Sequence, residues 1–265
     1  MIKKIHYPDG FSYVDIEPMH DLCPITIRIN SYEDLWMLAQ IVDVCNHNGS
    51  VPRVTIPCLP DAQADKRFNS SESSGLKLVL DFLRGMDADF EIYHPHNPEI
   101  VEALLPSALI LPPEEFDIDD DFVILSPDAG AYKWVSKVYS SHKGDIVSAS
   151  KSRSWVDNKS ILSQQLPNFP FLGRKVAIVD DIMVGGGTFL GLYKLLVEAG
   201  VLEVHLYVSH ITVQRLNKLV FDSFKTVNCT NSKFDEYFAP YGQRFAQPSN
   251  LNVIKLFSPT EIKTE

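Results

Sequence analysis

The chain has 265 residues and a net charge of −10, from 24 Lys plus Arg against 34 Asp plus Glu. With 45% hydrophobic and 22% charged residues it has the composition of a folded globular protein, which excludes wholesale disorder and allows one large domain or two smaller ones. The acidic balance excludes a nucleic-acid-binding surface, but not a phosphate ligand held by a few placed donors.

The opening MIKKIHYPDG has two lysines and no apolar run behind them, so no signal peptide is expected. No stretch approaches the roughly 18 uninterrupted apolar residues of a membrane span, so no membrane is expected as a partner. Cys23, Cys45, Cys58 and Cys229 are widely spaced and form no C-x-x-C pair. Neither a disulfide framework nor a zinc site is expected, and the chain reads as a reduced, cytoplasmic protein.

In chain order, ITIRI (25–29) reads as a strand. Tyr32 to Asn46 carries Leu35, Leu38, Ile41 and Val42 at helical spacing and reads as an amphipathic helix. RVTIPCL (53–59) is a second strand, Leu76 to Leu83 a helix and FEIYHPH (90–96) a third strand. Pro98 opens a short helix over EIVEALL, since proline suits a first helical turn. Residues 111–121, LPPEEFDIDDD, hold two prolines and six acids and read as a linker or exposed loop. The alternation then restarts. FVILS (122–126) is a strand, Ala131 to Ser140 a helix, and DIVSAS (145–150) a strand running into SKSRSWVDNKS, a polar, mobile segment. KVAIVDD (175–181) is a strand ending in acids, and Phe189 to Ala199 is a helix stopped by Gly200. Residues 204–209, TVNCTNS (226–232) and NVIKLF (252–257) are the last strands. Strand and helix in repetition imply an α/β fold with mainly parallel sheets flanked by helices. Two tandem halves are expected, 1–115 and 116–265.

The strongest local signal is VAIVDDIMVGGGT. Four apolar residues lift Asp180 and Asp181 to the carboxyl edge of a parallel sheet, where ligands bind. Gly185, Gly186 and Gly187 allow the backbone to approach an anion, and successive N–H groups with the helix N-terminus hold a phosphate. Thr188 can add a hydroxyl and cap the helix. Two acids beside a phosphate cradle suit a sugar phosphate, with the carboxylates accepting from vicinal ribose hydroxyls. The plainer alternative is a tight β–α turn with its acids facing solvent. The segment is neither a P-loop nor a G-x-G-x-x-G fingerprint.

VAIVDDIMVGGGT resembles the phosphoribosyl-binding loop of type I phosphoribosyltransferases and of ribose-phosphate pyrophosphokinases. Further segments favour the second group. YPDG (7–10) resembles its adenine-pocket segment. LPDAQADKR (59–67) stands where its ATP loop stands, and HPH (94–96) resembles its Asp-Pro-His metal segment. SPDAGA (126–131) resembles its Ser-Pro-Asp-Ala-Gly-Gly motif, and Lys151-Ser152-Arg153 has the K-x-R spacing of its catalytic loop. VSH (208–210) and CTNS (229–232) match later landmarks. The order holds over roughly residues 5–257 and is nearest to shorter, phage-type members.

The resemblance implies two tandem phosphoribosyltransferase-like domains and transfer of the diphosphoryl group of Mg-ATP to ribose 5-phosphate, with Mg²⁺ as cofactor. It implies that Asp180 and Asp181 hold the ribose hydroxyls and Gly185 to Thr188 the 5-phosphate. His96 and Asp128 help place Mg²⁺, and Lys151 and Arg153 close over the diphosphate. Tyr7 and Asp9 contact adenine, and Asp65, Lys66, Arg67 and His96 complete the ATP site. That site is shared in a homo-oligomer. The plain alternatives are core packing for Tyr7, a structural histidine at 96 and a solvated loop at 151–153.

Three departures stand out. Gln63 and Ala64 replace the family's Arg and Gln, Phe11 replaces an acid that helps read adenine, and Val184 replaces an Asp beside the 5-phosphate pocket. An apolar wall there suits an acceptor whose phosphate is esterified, such as ADP-ribose. Some phage homologues pyrophosphorylate ADP-ribose to rebuild NAD⁺. Ribose 5-phosphate remains the first expectation, and a catalytically inactive regulatory homologue is a further alternative.

Overall fold

A computed structural model describes residues 2–16, 24–156, 159–212, 218–233 and 248–264. It divides the chain into two units, Met1–Pro112 with Leu256–Glu265, and Pro113–Lys255.

The first unit opens with an antiparallel hairpin, β1 (Ile2–His6) and β2 (Ser12–Ile16), in register from Ile2↔Ile16 to His6↔Ser12. Its turn closes through the Tyr7 N–H donating to Phe11 O at 2.8 Å and the Gly10 N–H donating to Tyr7 O at 3.0 Å. Then follow β3 (Ile25–Thr26), α1 (Tyr32–His47), β4 (Arg53–Ile56), α2 (Gly75–Arg84), β5 (Asp89–Tyr93), α3 (Pro98–Leu104) and β6 (Leu109–Leu111). The four strands β3 to β6 form a parallel sheet in chain order. Leu35, Leu38, Ile41 and Val42 of α1 and Leu76, Val79, Leu80 and Leu83 of α2 are buried in one core with Ile25, Val54, Ile56, Phe90 and Ile92. The strand expected over 25–29 is shorter, with the Ile27 N–H still donating to Thr55 O at 3.0 Å and Ser31 capping α1. There the Asp34 carboxylate accepts from the N–H groups of Asn30 at 2.9 Å and Ser31 at 2.8 Å.

The second unit contains β7 (Phe122–Ser126), α4 (Ala129–Val138), β8 (Ile146–Ser148), β9 (Ser150–Val156), β10 (Lys159–Gln165), β11 (Lys175–Met183), α5 (Gly187–Glu198), β12 (Glu203–Ile211), α6 (Lys218–Ser223), β13 (Val227–Thr230) and β14 (Leu251–Ile254). Six strands form a parallel sheet in the order β14-β13-β12-β11-β7-β8. Both faces are covered, so the strands read as continuous apolar runs. Val123, Leu125, Val176 and Ile178 pack with Phe189, Leu192 and Leu196 of α5. The alternate residues Phe122, Ile124, Ala177 and Val179 pack with Val135 of α4 and with Tyr139. The strands β9 and β10 form a separate antiparallel pair. Residues expected to be a mobile loop are therefore a hairpin up to Val156 and from Lys159. Asp157 and Asn158 lie outside the described residues.

The chain then returns to the first unit. There β15 (Ile262–Thr264) pairs in parallel with β1, from Ile2↔Ile262 to Lys4↔Thr264. The Thr260 N–H donates to Thr26 O at 2.8 Å, and the Thr26 N–H donates to Thr260 Oγ1 at 3.0 Å. The Phe257 ring meets Tyr93 edge-on at 5.1 Å. Through these contacts the last ten residues belong with the first unit. Among the described residues, no helix is long and apolar enough to cross a membrane.

Candidate active site

In the second unit, chain order and strand order part company at one place. From β7 the chain passes through α4 to β8 on one side, and β11 joins β7 on the other. At such a reversal the loops leaving two neighbouring strands diverge and open a crevice at their carboxyl ends. Asp128 follows β7, while Asp180 and Asp181 lie near the end of β11, whose loop Val184–Gly186 leads into α5.

Asp128 caps α4, its Oδ1 accepting from the Ala131 N–H at 3.0 Å. Its other oxygen, Oδ2, lies 3.8 Å from Lys151 Nζ, with both side chains partly exposed. That pair brings together two residues of the SPDAGA and K-x-R segments. Lys151 and Arg153 stand on β9, opposite Gln164 and Leu162 of β10. The Arg153 side chain lies outside the described part of the structure.

Asp180 and Asp181 end the buried run Val176–Val179. The Asp181 N–H donates to Asp180 Oδ1 at 2.9 Å. Burial, then the charge of Asp181 and more weakly that of Asp128, hold the Asp180 carboxyl well above the usual carboxylate range. Two acids are thus kept close together with too little water to charge both freely.

After Ile182 and Met183, still buried in β11, Val184 and Gly185 leave the sheet edge exposed. Gly186 has φ of 76°, and a Cβ there would overlap Val220 of α6, so only glycine fits. Gly186 is also the N-cap of α5, with no side-chain cap hydrogen bond. Thr188 sits inside the first turn, which corrects the expectation that it caps the helix. The first-turn N–H groups therefore lack a side-chain acceptor at a positive helix end, as an anion site needs. Val184 is 46% exposed at the start of this loop. Gln164 Nε2 donates to Thr188 O at 3.1 Å and ties β10 to the first turn of α5.

The VSH and CTNS segments end β12 and β13 in a buried polar seam. His210 Nδ1 lies 2.9 Å from Ser232 Oγ, and Thr230 Oγ1 donates to Ser209 O at 2.7 Å. Ile182 stands opposite His210 in the sheet, so the seam borders the strand that carries the two acids.

In the first unit Asp65, Lys66, Arg67 and His96 lie on loops that follow the neighbouring strands β4 and β5, and Tyr7 and Asp9 on the β1–β2 turn. After β4, Asp61 adopts φ of 53° and its carboxylate accepts from Tyr32 OH at 2.8 Å. Asp65 Oδ2 accepts from Asn97 Nδ2 at 2.9 Å, and Asn97 Oδ1 caps α3 through the Ile100 N–H at 3.2 Å. That side chain joins the loop after β4 to the loop after β5. Lys66 and Arg67 are exposed and form no ion pair with any described residue. His94 is buried with φ of 37°, and His96 beyond it is exposed. Tyr7 is 51% exposed at the hairpin tip and stacks on Tyr13 at 5.0 Å, so it is not core. Asp9 Oδ1 accepts from the Phe11 N–H at 3.1 Å, and Phe11 is 72% exposed.

No family model matches the chain. The ribose-phosphate pyrophosphokinase of Methanosarcina mazei is 28% identical over 220 residues, covering 79% of this chain and 72% of that one. Its counterpart in Methanobrevibacter smithii is 26% identical over 224 residues, covering 77% and 75%. The phosphoribosylpyrophosphate synthetase of Mycobacterium smegmatis superposes with a TM-score of 0.71 at 18% identity, covering 97% of this chain and 86% of that one. The chain is similar to the ribose-phosphate pyrophosphokinases. Its fold, two mainly parallel α/β domains, is the fold of that synthetase.

Of the residues that the pyrophosphokinase resemblance singles out, Asp128, Lys151, Asp180, Asp181 and the glycine loop gather in the second unit. Tyr7, Asp9, Asp65, Lys66, Arg67 and His96 belong to the first, so the two expected metal contacts, His96 and Asp128, fall in different units. Among the described residues no group of three or more His, Cys, Asp or Glu is placed to hold a metal ion. The donor chemistry still fits magnesium, which takes few protein oxygens and keeps waters and substrate phosphates. Asp128 offers such an oxygen. Two residues escaped the sequence reading. Asn97 had a usable signal, a cap residue just before a proline. Gln164 had none.

Proposed function

We propose that the chain is an ATP-dependent diphosphokinase that converts ribose 5-phosphate to phosphoribosyl diphosphate and AMP. The reading rests on Lys151, Asp128, the Asp180–Asp181 pair and an uncapped glycine loop converging where the strand order reverses. The glycine-loop N–H groups bind the 5-phosphate, and the two carboxyls accept from the ribose hydroxyls. Ribose O1 attacks the β-phosphorus of ATP, the bond from that phosphorus to the bridging oxygen breaks, and AMP leaves. The C1 hydroxyl gives up its proton to solvent as the new bond forms. When bound, magnesium on the ATP phosphates would neutralise their charge. Lys151, released from Asp128, and Arg153 stabilise the charge spread over the transferring group. Asp65, Lys66, Arg67 and His96 hold ATP, and Asp128 would offer the ion an oxygen. The exposed rings of Tyr7 and Phe11 at a hairpin tip, with Asp9 between them, support an adenine site completed by a second copy. The cytoplasm, where ATP and sugar phosphates are found, suits this chemistry.

A second acceptor has one observation in its favour. Val184 presents an apolar, exposed side chain at the mouth of the phosphate loop, which suits an esterified phosphate such as that of ADP-ribose. The deciding experiment mixes the protein and Mg-ATP with either acceptor and follows AMP and new products by mass spectrometry. AMP with a ribose 5-phosphate product heavier by one diphosphate supports the first reading. AMP with ADP-ribose alone supports the second, and then Val184→Asp should move activity toward ribose 5-phosphate by about tenfold, the scale of one polar contact. AMP with neither would turn the reading toward an inactive regulatory homologue.

A further inference from the structure

The hairpin of β9 and β10 poses a physical problem. It is a two-stranded sheet of its own, and such a pair is marginal in water without further support. Yet Lys151 must be held in place if it acts on a transferring group, because small misplacements are expensive in rate. Among the described residues, one support is a side chain that reaches α5. Gln164 stands directly across the ladder from Lys151. Its amide Nε2 reaches the carbonyl of Thr188, in the first turn behind the glycine loop, at 3.1 Å. The surface of α5 is shaped to admit it: a Cβ on Gly191 would overlap the Gln164 amide oxygen.

We infer that Gln164 is a positioning residue, which sets Lys151 against the sugar-phosphate loop by anchoring its cross-strand neighbour to that loop. The inference rests on the reaction read above for Lys151, but its geometry lies wholly within the second unit. Gln164 touches no reacting atom. It acts by holding Lys151 at a fixed distance from Thr188, so its loss leaves acceptor binding in place and misaligns the cation.

Two variants test this from opposite directions. Gln164→Leu keeps the bulk and removes the donor. Gly191→Ala leaves Gln164 unchanged but fills the space its amide occupies, and alanine is the better helix former, so the fold is retained. Both are expected to lower kcat by about tenfold or more while KM for the acceptor stays within about threefold, the signature of an interaction felt in the transition state. Gly191→Ala should do so with no fall in Tm, and the double variant should be no worse than Gln164→Leu alone, because both remove one contact. Hydrogen exchange should quicken in the amides of β9 and β10 and stay unchanged in β11. A kcat within about twofold of the parent in both variants overturns the inference, as does unchanged exchange in the hairpin. If the parent protein releases no AMP with either acceptor, the reaction reading fails. The exchange measurement then decides the anchoring by itself.

Discussion

Asp180 and Asp181 oppose each other before any ligand arrives. Because burial and its neighbour raise the Asp180 pKa in the folded state, the folded chain holds that proton to higher pH than the unfolded chain does. Stability from this group is therefore complete below the ordinary value of 3.8 and is lost as pH rises through the raised value. Asp180→Asn should raise Tm by a few degrees at pH 8 and by little at pH 4.5, while abolishing sugar binding. Thermal melts at the two pH values check this, and a Tm that falls at pH 8 would sink it. Lys151 is a contrasting residue, partly exposed and held by one long ion pair, so its value to the fold is small. Lys151→Ala should leave Tm nearly unchanged and lower kcat by roughly 10²–10³, the range for losing a preorganised charge contact. These residues were legible in the sequence because each sits in a short segment whose local order carries its chemistry. Gln164 was not, because its meaning depends on a strand partner and a helix turn that local sequence does not reveal.

At the scale of elements, the runs that were read well are those buried on both faces. FVILS and KVAIVDD carry apolar residues toward α4 and α5 alike, so composition alone marks them as strands. The hairpin of β9 and β10 was misread for the converse reason. It lies outside the main sheet, its SKSRSWV strand is polar, and neither alternation nor a core face signals a strand. The pair β1 and β2 was missed likewise, since two adjacent lysines break any alternation in IKKIH. The turn from β11 to α5 was legible as a glycine turn opening a helix, but its cap was misplaced by two residues. Gly186 occupies the cap with φ of 76° and abuts Val220. Gly186→Ala should therefore cost about 1–3 kcal/mol, the usual price of a left-handed non-glycine residue, before any crowding is added. It should also weaken ribose 5-phosphate binding. Denaturant melts and ligand titration read the two effects separately, and wild-type values for both would refute the strain.

For the molecule as a whole, the composition and the alternation of strands and helices revealed two α/β halves and a joint near the LPPEEFDIDDD segment. They did not reveal where the last ten residues go. A strand of three residues, Ile262–Thr264, carries too little pattern to be read alone, and its partner lies at the far end of the chain. Removing residues 256–265 takes away the β1 neighbour, the Thr260 clasp on Thr26 and the ring contact of Phe257 with Tyr93. Calorimetry of that truncation should show the transition of the first unit shifted down by several degrees and that of the second unit unmoved. A single unshifted transition would count against the clasp.

The return of the chain to β1 also orders its birth. The second unit is an insertion within the first, so during synthesis its last strand, β14, leaves the ribosome before the residues that complete the first unit have been made. The half that begins first is finished last. A nascent chain stalled once Lys255 has emerged should already protect the second unit from protease, while β1 and β2 wait, still cleavable, for their third strand.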